Sequence, residues 1–111
     1  MDAFPQVRVA VVQAAPDAQR EATLEKVARL AAEAAAAGAG LILFPEALVP
    51  AYPRGLSFGT VVGGRSDAGR RLWQRYWANA VGVPGPATEA LGEAARRARA
   101  FLAVGVVERD Q

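Results

Sequence analysis

Residues 41–46 have the sequence Leu-Ile-Leu-Phe-Pro-Glu and directly follow Gly38-Ala39-Gly40. Four apolar residues between glycine and proline predict a short strand, residues 41–44, that is buried on both faces. Glu46 follows the strand at its carboxyl end and opens residues 45–64, which contain three prolines and four glycines. Irregular segments of this length within a compact domain are uncommon and tend to be functional.

The preceding residues predict a strand and a helix. Residues 7–13 are a β-branched run with a polar residue at each end, which is typical of a buried strand. Asp17 is a candidate N-cap for a helix over residues 18–37, and Gly38 supplies a left-handed stop. Strand, helix and strand with short connections predict a βαβ unit with parallel strands. The inner face of the helix is expected to contain Leu24, Val27, Leu30, Ala31, Ala34 and Ala35.

The second half of the chain predicts two more helices and a third strand. Ser66 can cap a helix that continues to about Ala80, and after the stiff linker 83–86 either Pro86 or Thr88 opens the next helix. Residues 101–107 predict another strand buried on both faces. The chain is therefore expected to be an α/β protein with three core strands and three helices. The inward residues of the first of these helices are expected to be Leu72, Trp73, Tyr76, Trp77 and Ala80. Those of the second are expected to be Leu91, Ala94, Ala95, Ala98 and Phe101.

Cysteine and histidine are both absent, and this limits the chemistry of the chain. Their absence excludes disulfides, Cys/His metal sites and histidine-based catalysis within these residues. The net charge is only +2, and the two arginine clusters, 70–71 and 96–99, fit solvated helix faces better than a nucleic-acid site. No apolar run approaches the roughly 18 residues of a membrane span, and no signal pattern opens the chain. We therefore expect a soluble, cytoplasmic protein with no nucleic-acid or membrane partner.

Glu46 is the candidate catalytic residue that its place in the predicted sheet singles out. In parallel α/β sheets, functional groups gather at the carboxyl ends of strands. A carboxylate at that place suits a general base. The alternative is a structural glutamate that is satisfied by an arginine or by loop amides, and position alone leaves both open.

The residues around Glu46 also resemble a known family. Residues 43–47 (Leu-Phe-Pro-Glu-Ala), followed by Pro50-Ala51-Tyr52-Pro53, are similar to the signature around the first catalytic residue of the nitrilase superfamily of carbon–nitrogen hydrolases. The resemblance spans about residues 7–110. Its other matching segments are residues 9–14, 38–41, 75–77 with 83–86, and 103–109.

The resemblance implies a reaction and roles for two residues. In that family a cysteine attacks a nitrile or amide carbon, a glutamate is the general base, and a lysine stabilises the tetrahedral species, with no cofactor and no metal. Glu46 matches the glutamate. Tyr52 matches a tyrosine that lines the substrate pocket in many nitrilases, and the alternative is a loop aromatic held between Pro50 and Pro53.

The family's cysteine and lysine have no counterpart in the chain. Lys26 is the only lysine, and it lies on the first predicted helix rather than at the position of the catalytic lysine. We therefore interpret residues 1–111 as the N-terminal portion of a single carbon–nitrogen hydrolase domain, apparently truncated, with both missing residues beyond Gln111. The implied fold is a four-layer α-β-β-α sandwich, often assembled into homo-oligomers. The chain alone is expected to be inactive and to associate through its apolar strands.

The leading hypothesis is a nitrilase that converts an organic nitrile to a carboxylic acid and ammonia. The longer segment between Glu46 and Ser66 favours nitrilases over the smaller amidases of the superfamily. An amidase or carbamoylase, and a non-catalytic fragment that acts only by association with other chains, stay as alternatives. A doubly wound nucleotide-binding domain is disfavoured because no glycine-rich phosphate turn follows the first strand. The sequence does not indicate which nitrile or amide is the substrate.

Overall fold

The computed structural model describes residues 4–53, 58, 60–61 and 64–110. The described part contains three helices, a three-stranded sheet and a two-stranded ribbon. In chain order the elements are β1 (Val9–Val11), α1 (Arg20–Ala36), β2 (Leu41–Leu43), β3 (Thr60–Val61), β4 (Gly64–Arg65), α2 (Asp67–Asn79), α3 (Pro86–Ala98) and β5 (Phe101–Ala103).

The main sheet is parallel and has the strand order β1-β2-β5. Val9 pairs with Leu41, which pairs in turn with Phe101 on the other side. These pairings confirm the predicted βαβ unit and the α/β class with three core strands and three helices. The strands are shorter than predicted, because only Val9–Val11 and Phe101–Ala103 have continuous ladder pairing.

Two isolated parallel bridges continue the pairing beyond the strands. Val49 pairs with Val106, and Val81 pairs with Glu108. The segment after β5 therefore lies beside two other parts of the chain, one after β2 and one after α2. The ribbon of β3 and β4 is antiparallel and interrupts the stretch that was predicted to be irregular.

The start of α1 differs from the sequence prediction. The helix begins at Arg20 after Gln19, so Asp17 is not its N-cap. The Asp17 N–H instead donates to Thr23 Oγ1 at 2.9 Å, and its carboxylate pairs with Lys26 Nζ at 3.0 Å. The Thr23 hydroxyl, on the first turn of the helix, thus holds the segment that precedes α1, and the N-cap residue Gln19 makes no side-chain capping hydrogen bond. At the other end, Gly38 has φ +95°, as its role as a stop predicts.

The caps of α2 and α3 agree with the sequence. Ser66 Oγ accepts a hydrogen bond from the Gly69 N–H at 3.0 Å. Pro86 opens α3, and Thr88 Oγ1 both accepts from the Gly85 N–H and donates to the Gly85 carbonyl. The proline has no N–H to leave unpaired at the first helical position, and its fixed φ suits the helix.

The core lies between one face of the sheet and helices α1 and α3, which pack against each other. Ile42 of β2 is fully buried, with Val27 and Ala31 of α1 against it in the same cluster. Ala10 and Leu102, the register partners of Ile42, also pack on this cluster. The alternate residues of each strand therefore point toward the helices.

The opposite face of the sheet is uncovered in the described residues, and we call it the open face. The register of the strands places the residues of this face side by side. Phe101, one of them, is 80% exposed. The prediction that β2 and β5 are buried on both faces, with Phe101 inward, is therefore wrong for this chain. The reason is that α1 and α3 both pack on the Ile42 side. The open face consists of Val9, Val11, Leu41, Leu43, Phe101 and Ala103.

The helix α2 is only partly packed. Trp73 and Trp77, predicted to be inward, are 50% and 48% exposed, while Ala80 at its end is buried. Within the described ranges, no helix is both long and apolar enough to cross a membrane.

Candidate functional site

The chain leaves the sheet after the buried residue Phe44, and Glu46 lies two residues further on. Phe44 is 3% exposed, and its N–H donates to the Ala103 carbonyl at 2.8 Å, so the chain is still paired with β5 at this point. Pro45 cannot continue the ladder because it has no N–H. The side chain of Glu46 is exposed, at the carboxyl edge of the sheet where the sequence predicts it.

The chain returns to the sheet at Val49. The Val49 N–H donates to the Gly105 carbonyl at 3.3 Å, and the Val107 N–H donates to the Val49 carbonyl at 2.7 Å. Leu48 and Val49 are both buried. Glu46 therefore lies on a short excursion, residues 45–48, that is fixed at both ends by hydrogen bonds and by buried side chains.

The excursion contains a left-handed residue. Ala47 has φ +49°, a conformation that costs a non-glycine residue free energy because its Cβ approaches the following carbonyl. Such a conformation persists only when the surrounding contacts determine it, and strained residues of this kind cluster at functional sites. The turn immediately after Glu46 is therefore imposed by its packing.

An open cavity of about 580 Å³ lies at this edge of the sheet. Of the described residues that line it, Glu46 and Gln13 have polar side chains, and the others are apolar. A mostly apolar wall with few polar groups is typical of a site for a small organic molecule. The apolar part of the lining comes from the ends of all three parallel strands and the residues after them: Val11, Val12, Leu43, Phe44, Pro45, Ala103, Val104 and Gly105.

Tyr52 lies further along the same loop and is 55% exposed. It is not part of the described wall of the Glu46 cavity. The residue before it is held, because the Tyr76 hydroxyl donates to the Ala51 carbonyl at 2.9 Å. The structure thus places Glu46 and Tyr52 on one loop that borders the sheet edge, with only Glu46 in the cavity.

An aromatic cluster supports that loop from α2. Phe58 lies edge-on to Trp73 with ring centroids 5.4 Å apart, and its ring is 5.3 Å from that of Tyr76. Burial raises the pKa of the Tyr76 hydroxyl, which favours its protonated form as a hydrogen-bond donor. The sequence predicts a packing role for Trp73 and Tyr76, but nothing in the sequence pattern pairs them with Phe58.

Gly105 is a site residue that the sequence analysis did not single out. It lines the cavity beside Glu46, and its carbonyl accepts the hydrogen bond from Val49. A signal for it exists, because a lone glycine inside an apolar strand pattern marks a bulge or a close approach of two backbones.

Lys26 and its partner Asp17 are placed for structure. Lys26 donates to the Ala15 carbonyl at 2.8 Å as well as pairing with Asp17. Among the residues that the structure describes, no three acidic, histidine or cysteine side chains are grouped so that they could hold a metal ion. Glu46 is thus a carboxylate that the fold places in an apolar cavity at the carboxyl edge of the sheet.

The chain is similar in sequence to known proteins. The family model for carbon-nitrogen hydrolase matches residues 8–111. The chain is 48% identical over 104 residues to an aliphatic nitrilase of Sinorhizobium fredii, covering 93% of this chain and 34% of that protein. It is 45% identical over 107 residues to a bifunctional nitrilase/nitrile hydratase of Nicotiana tabacum, covering 96% and 31%. It is 41% identical over 111 residues to nitrilase 3 of Arabidopsis thaliana, covering 99% and 32%. The chain therefore spans about a third of the length of these relatives.

Proposed function

Because this chain belongs to the carbon–nitrogen hydrolase family, we propose that it acts within a longer protein that hydrolyses an organic nitrile to a carboxylic acid and ammonia. We call this longer protein, which has the length of the relatives, the full-length protein. We propose that it is a cytoplasmic homo-oligomer that needs no cofactor. Residues 1–111 are the N-terminal portion of its catalytic domain. The observation that carries the proposal is the position of Glu46 in an apolar cavity at the carboxyl edge of the sheet, inside the segment shared with proteins named nitrilases.

Glu46 is the general base of the proposed reaction. It takes the proton of a cysteine thiol as the sulfur adds to the nitrile carbon, and the proton is passed to the nitrile nitrogen, which gives a covalent thioimidate. A first water adds to the thioimidate, ammonia leaves, and a thioester results. A second water, activated by the same carboxylate, releases the acid and the free thiol. A lysine stabilises the charge that develops on the tetrahedral species.

The cysteine and the lysine of this mechanism come from outside residues 1–111. The chain contains no cysteine. Lys26 pairs with Asp17 and donates to the Ala15 carbonyl, and both of these residues precede α1. Residues 1–111 by themselves are therefore proposed to be inactive, because no thioimidate can form without a thiol.

Glu46→Gln in the full-length protein tests the role of the carboxylate. The amide keeps the size of the side chain but cannot accept the proton, so kcat should fall by at least ~10²-fold while the protein stays folded. Ammonia release from a nitrile measures kcat, and circular dichroism measures folding. Glu33→Gln, on an exposed position of α1, is the matched control and should keep wild-type turnover. A folded Glu46→Gln variant with near-normal turnover would refute the assignment.

An amidase or carbamoylase is the second candidate, because it would use the same three residues on a C–N single bond. The names of the relatives favour the nitrile. Ammonia release from matched nitriles and amides, measured side by side, separates the two. Turnover of amides alone would reassign the substrate and leave the role of Glu46 intact.

A further inference from the structure

The excursion that carries Glu46 is an insertion into one strand of a parallel pair. Leu43 pairs with Ala103, and Val49 pairs with Val106. The advance of six residues from Leu43 to Val49 therefore lies opposite an advance of only three residues from Ala103 to Val106. The extra residues must leave the plane of the pairing, and bulges of this kind redirect side chains next to active sites.

The excursion passes directly over Gly105. A Cβ atom added to Gly105 would lie 2.6 Å from the Pro45 carbonyl oxygen and 2.7 Å from Glu46 Cα, and it would also overlap the Ala47 nitrogen. All three atoms belong to the backbone, so no rotation of a side chain could relieve the overlap. Any residue other than glycine at this position must displace the turn that holds Glu46.

Two other glycines of the described residues do not meet this constraint. A Cβ added to Gly82 or to Gly92 would have no atom within 4 Å. Gly105 is also held in place, because its carbonyl accepts from Val49 at the point where the excursion ends. The close approach at Gly105 is thus specific to the turn around Glu46.

We propose that Gly105 is a positioning residue for catalysis: the absence of a side chain there lets the Pro45–Glu46–Ala47 backbone approach the neighbouring strand, and this approach sets the position of the Glu46 carboxylate. The inference rests on the proposed function of Glu46 as the base. The left-handed conformation of Ala47 has the same origin, since the turn is held down on Gly105 at a backbone geometry that alanine does not favour.

Gly105→Ala in the full-length protein is the test, with Gly82→Ala as the matched control. A displacement of about 1 Å in a catalytic group can lower the rate about 10²-fold, so kcat per folded molecule should fall by that order while KM changes little. The pH dependence of kcat/KM should also change its acidic limb, because that limb reports the essential base. Gly82→Ala should keep the wild-type kcat, KM and pH profile.

Loss of folded protein alone has a different signature. It would lower the number of active molecules and leave kcat per folded molecule and the pH profile of the remainder unchanged, and this result would overturn the inference. Wild-type kcat in a folded Gly105→Ala variant would overturn it as well. If the wild-type protein releases no ammonia from nitriles or amides, the proposed function fails instead, so the two failures are distinguishable.

A second variant covers the case in which Gly105→Ala does not fold. Ala47→Gly, combined with Gly105→Ala, gives the turn more backbone freedom, so the turn can take a new path past the methyl group at position 105. The double variant is expected to recover folding but not turnover, since Glu46 stays displaced. Recovery of both, or failure of the double variant to fold, would show that the methyl group does not act through the turn and would overturn the inference.

Discussion

Glu46 owes its position to the residues on either side of it more than to any bond of its own side chain. Phe44 is buried and paired before it, Ala47 is held left-handed after it, and Gly105 lies beneath. A catalytic group needs this kind of support, because its geometry must be set before the substrate arrives. In this chain the support comes from the backbone.

Tyr52 belongs to the same loop, and we propose that it contributes to substrate specificity. If Tyr52 lines the substrate pocket of the full-length protein, Tyr52→Ala should change the ratio of kcat/KM between a bulky and a small nitrile by roughly 10-fold or more, the scale of one or two methylene groups in a pocket. Kinetics with a graded series of nitriles measure the ratio. Tyr52→Phe keeps the ring and should preserve the ranking.

The contrary outcome for Tyr52 is also defined. A uniform loss of kcat/KM across the series, together with a large fall in melting temperature, would show that the ring is needed for packing. Its 55% exposure in the described chain leaves little area for such a role.

At the scale of elements, the end of α2 is stabilised by arginines from outside the helix. The last turn of α2 contains no basic residue. The Arg20 guanidinium donates to the Ala80 carbonyl at 2.9 Å and, at 3.4 Å, to the Ala78 carbonyl. Arg109 lies over the Trp77 ring, 4.4 Å from its centroid. Positive charge near the carboxyl end of a helix is favourable because it opposes the helix dipole.

Arg20→Met is expected to loosen the contact between α1 and α2. It removes charged donors from two carbonyl groups at the helix end, and hydrogen bonds to charged groups contribute about 1.5–3 kcal/mol, so the free energy of unfolding should fall by about 1–2 kcal/mol after solvent replaces part of the loss. Urea denaturation of the full-length protein measures this change. Arg29→Met, on an exposed position of α1, should be close to neutral. Equal effects of the two substitutions would contradict the proposed capping.

At the scale of the whole molecule, the described chain has a core on one side of its sheet and an apolar surface on the other. Its radius of gyration is 17.1 Å, whereas a compact domain of about 100 residues has about 13 Å. Phe101, Val9 and Val11 of the open face are each more than half exposed. Apolar strand faces of this kind are covered in stable proteins, and we propose that a second sheet of the full-length protein covers this one.

Phe101→Lys should therefore have opposite effects in the two forms. In residues 1–111 alone, lysine replaces an exposed aromatic ring, so self-association and binding of a hydrophobic dye should both decrease. In the full-length protein the ammonium would be buried, and the free energy of unfolding should fall by about 3 kcal/mol or more, the scale of losing a buried phenylalanine. Sedimentation and dye binding measure the first effect, and urea denaturation the second.

Phe4→Lys is the matched control, because Phe4 is 90% exposed and lies outside the sheet. It should leave the stability of the full-length protein nearly unchanged. A monomeric, dye-negative wild-type chain of 111 residues with cooperative unfolding would contradict the proposal that the open face requires a cover.

The sequence alone determined the three helices and the three parallel strands, because their signals are local. Apolar periodicity predicted α1, Gly38 predicted where it ends, and Ser66 predicted the N-cap of α2. The structure confirms all three. The position of Glu46 after β2 followed in the same way, since proline cannot continue the ladder and the strand must end at or before it. The start of α1 after Gln19 was not predictable, because local side-chain preference favours Asp17 as the N-cap, whereas in the folded chain Asp17 bonds to Thr23 and Lys26 instead.

Only the tertiary structure decided which face of the sheet is covered and what lies beneath Glu46. A run such as Leu-Ile-Leu-Phe is apolar at every position, so it carries no period to show which side the helices take. The neighbours of Glu46 are equally non-local: Gly105 is 59 residues away along the chain and comes within contact only through the β2–β5 pairing. Sequence pattern records what each residue prefers for itself, whereas close approach between two backbones is a property of the register in which distant strands meet.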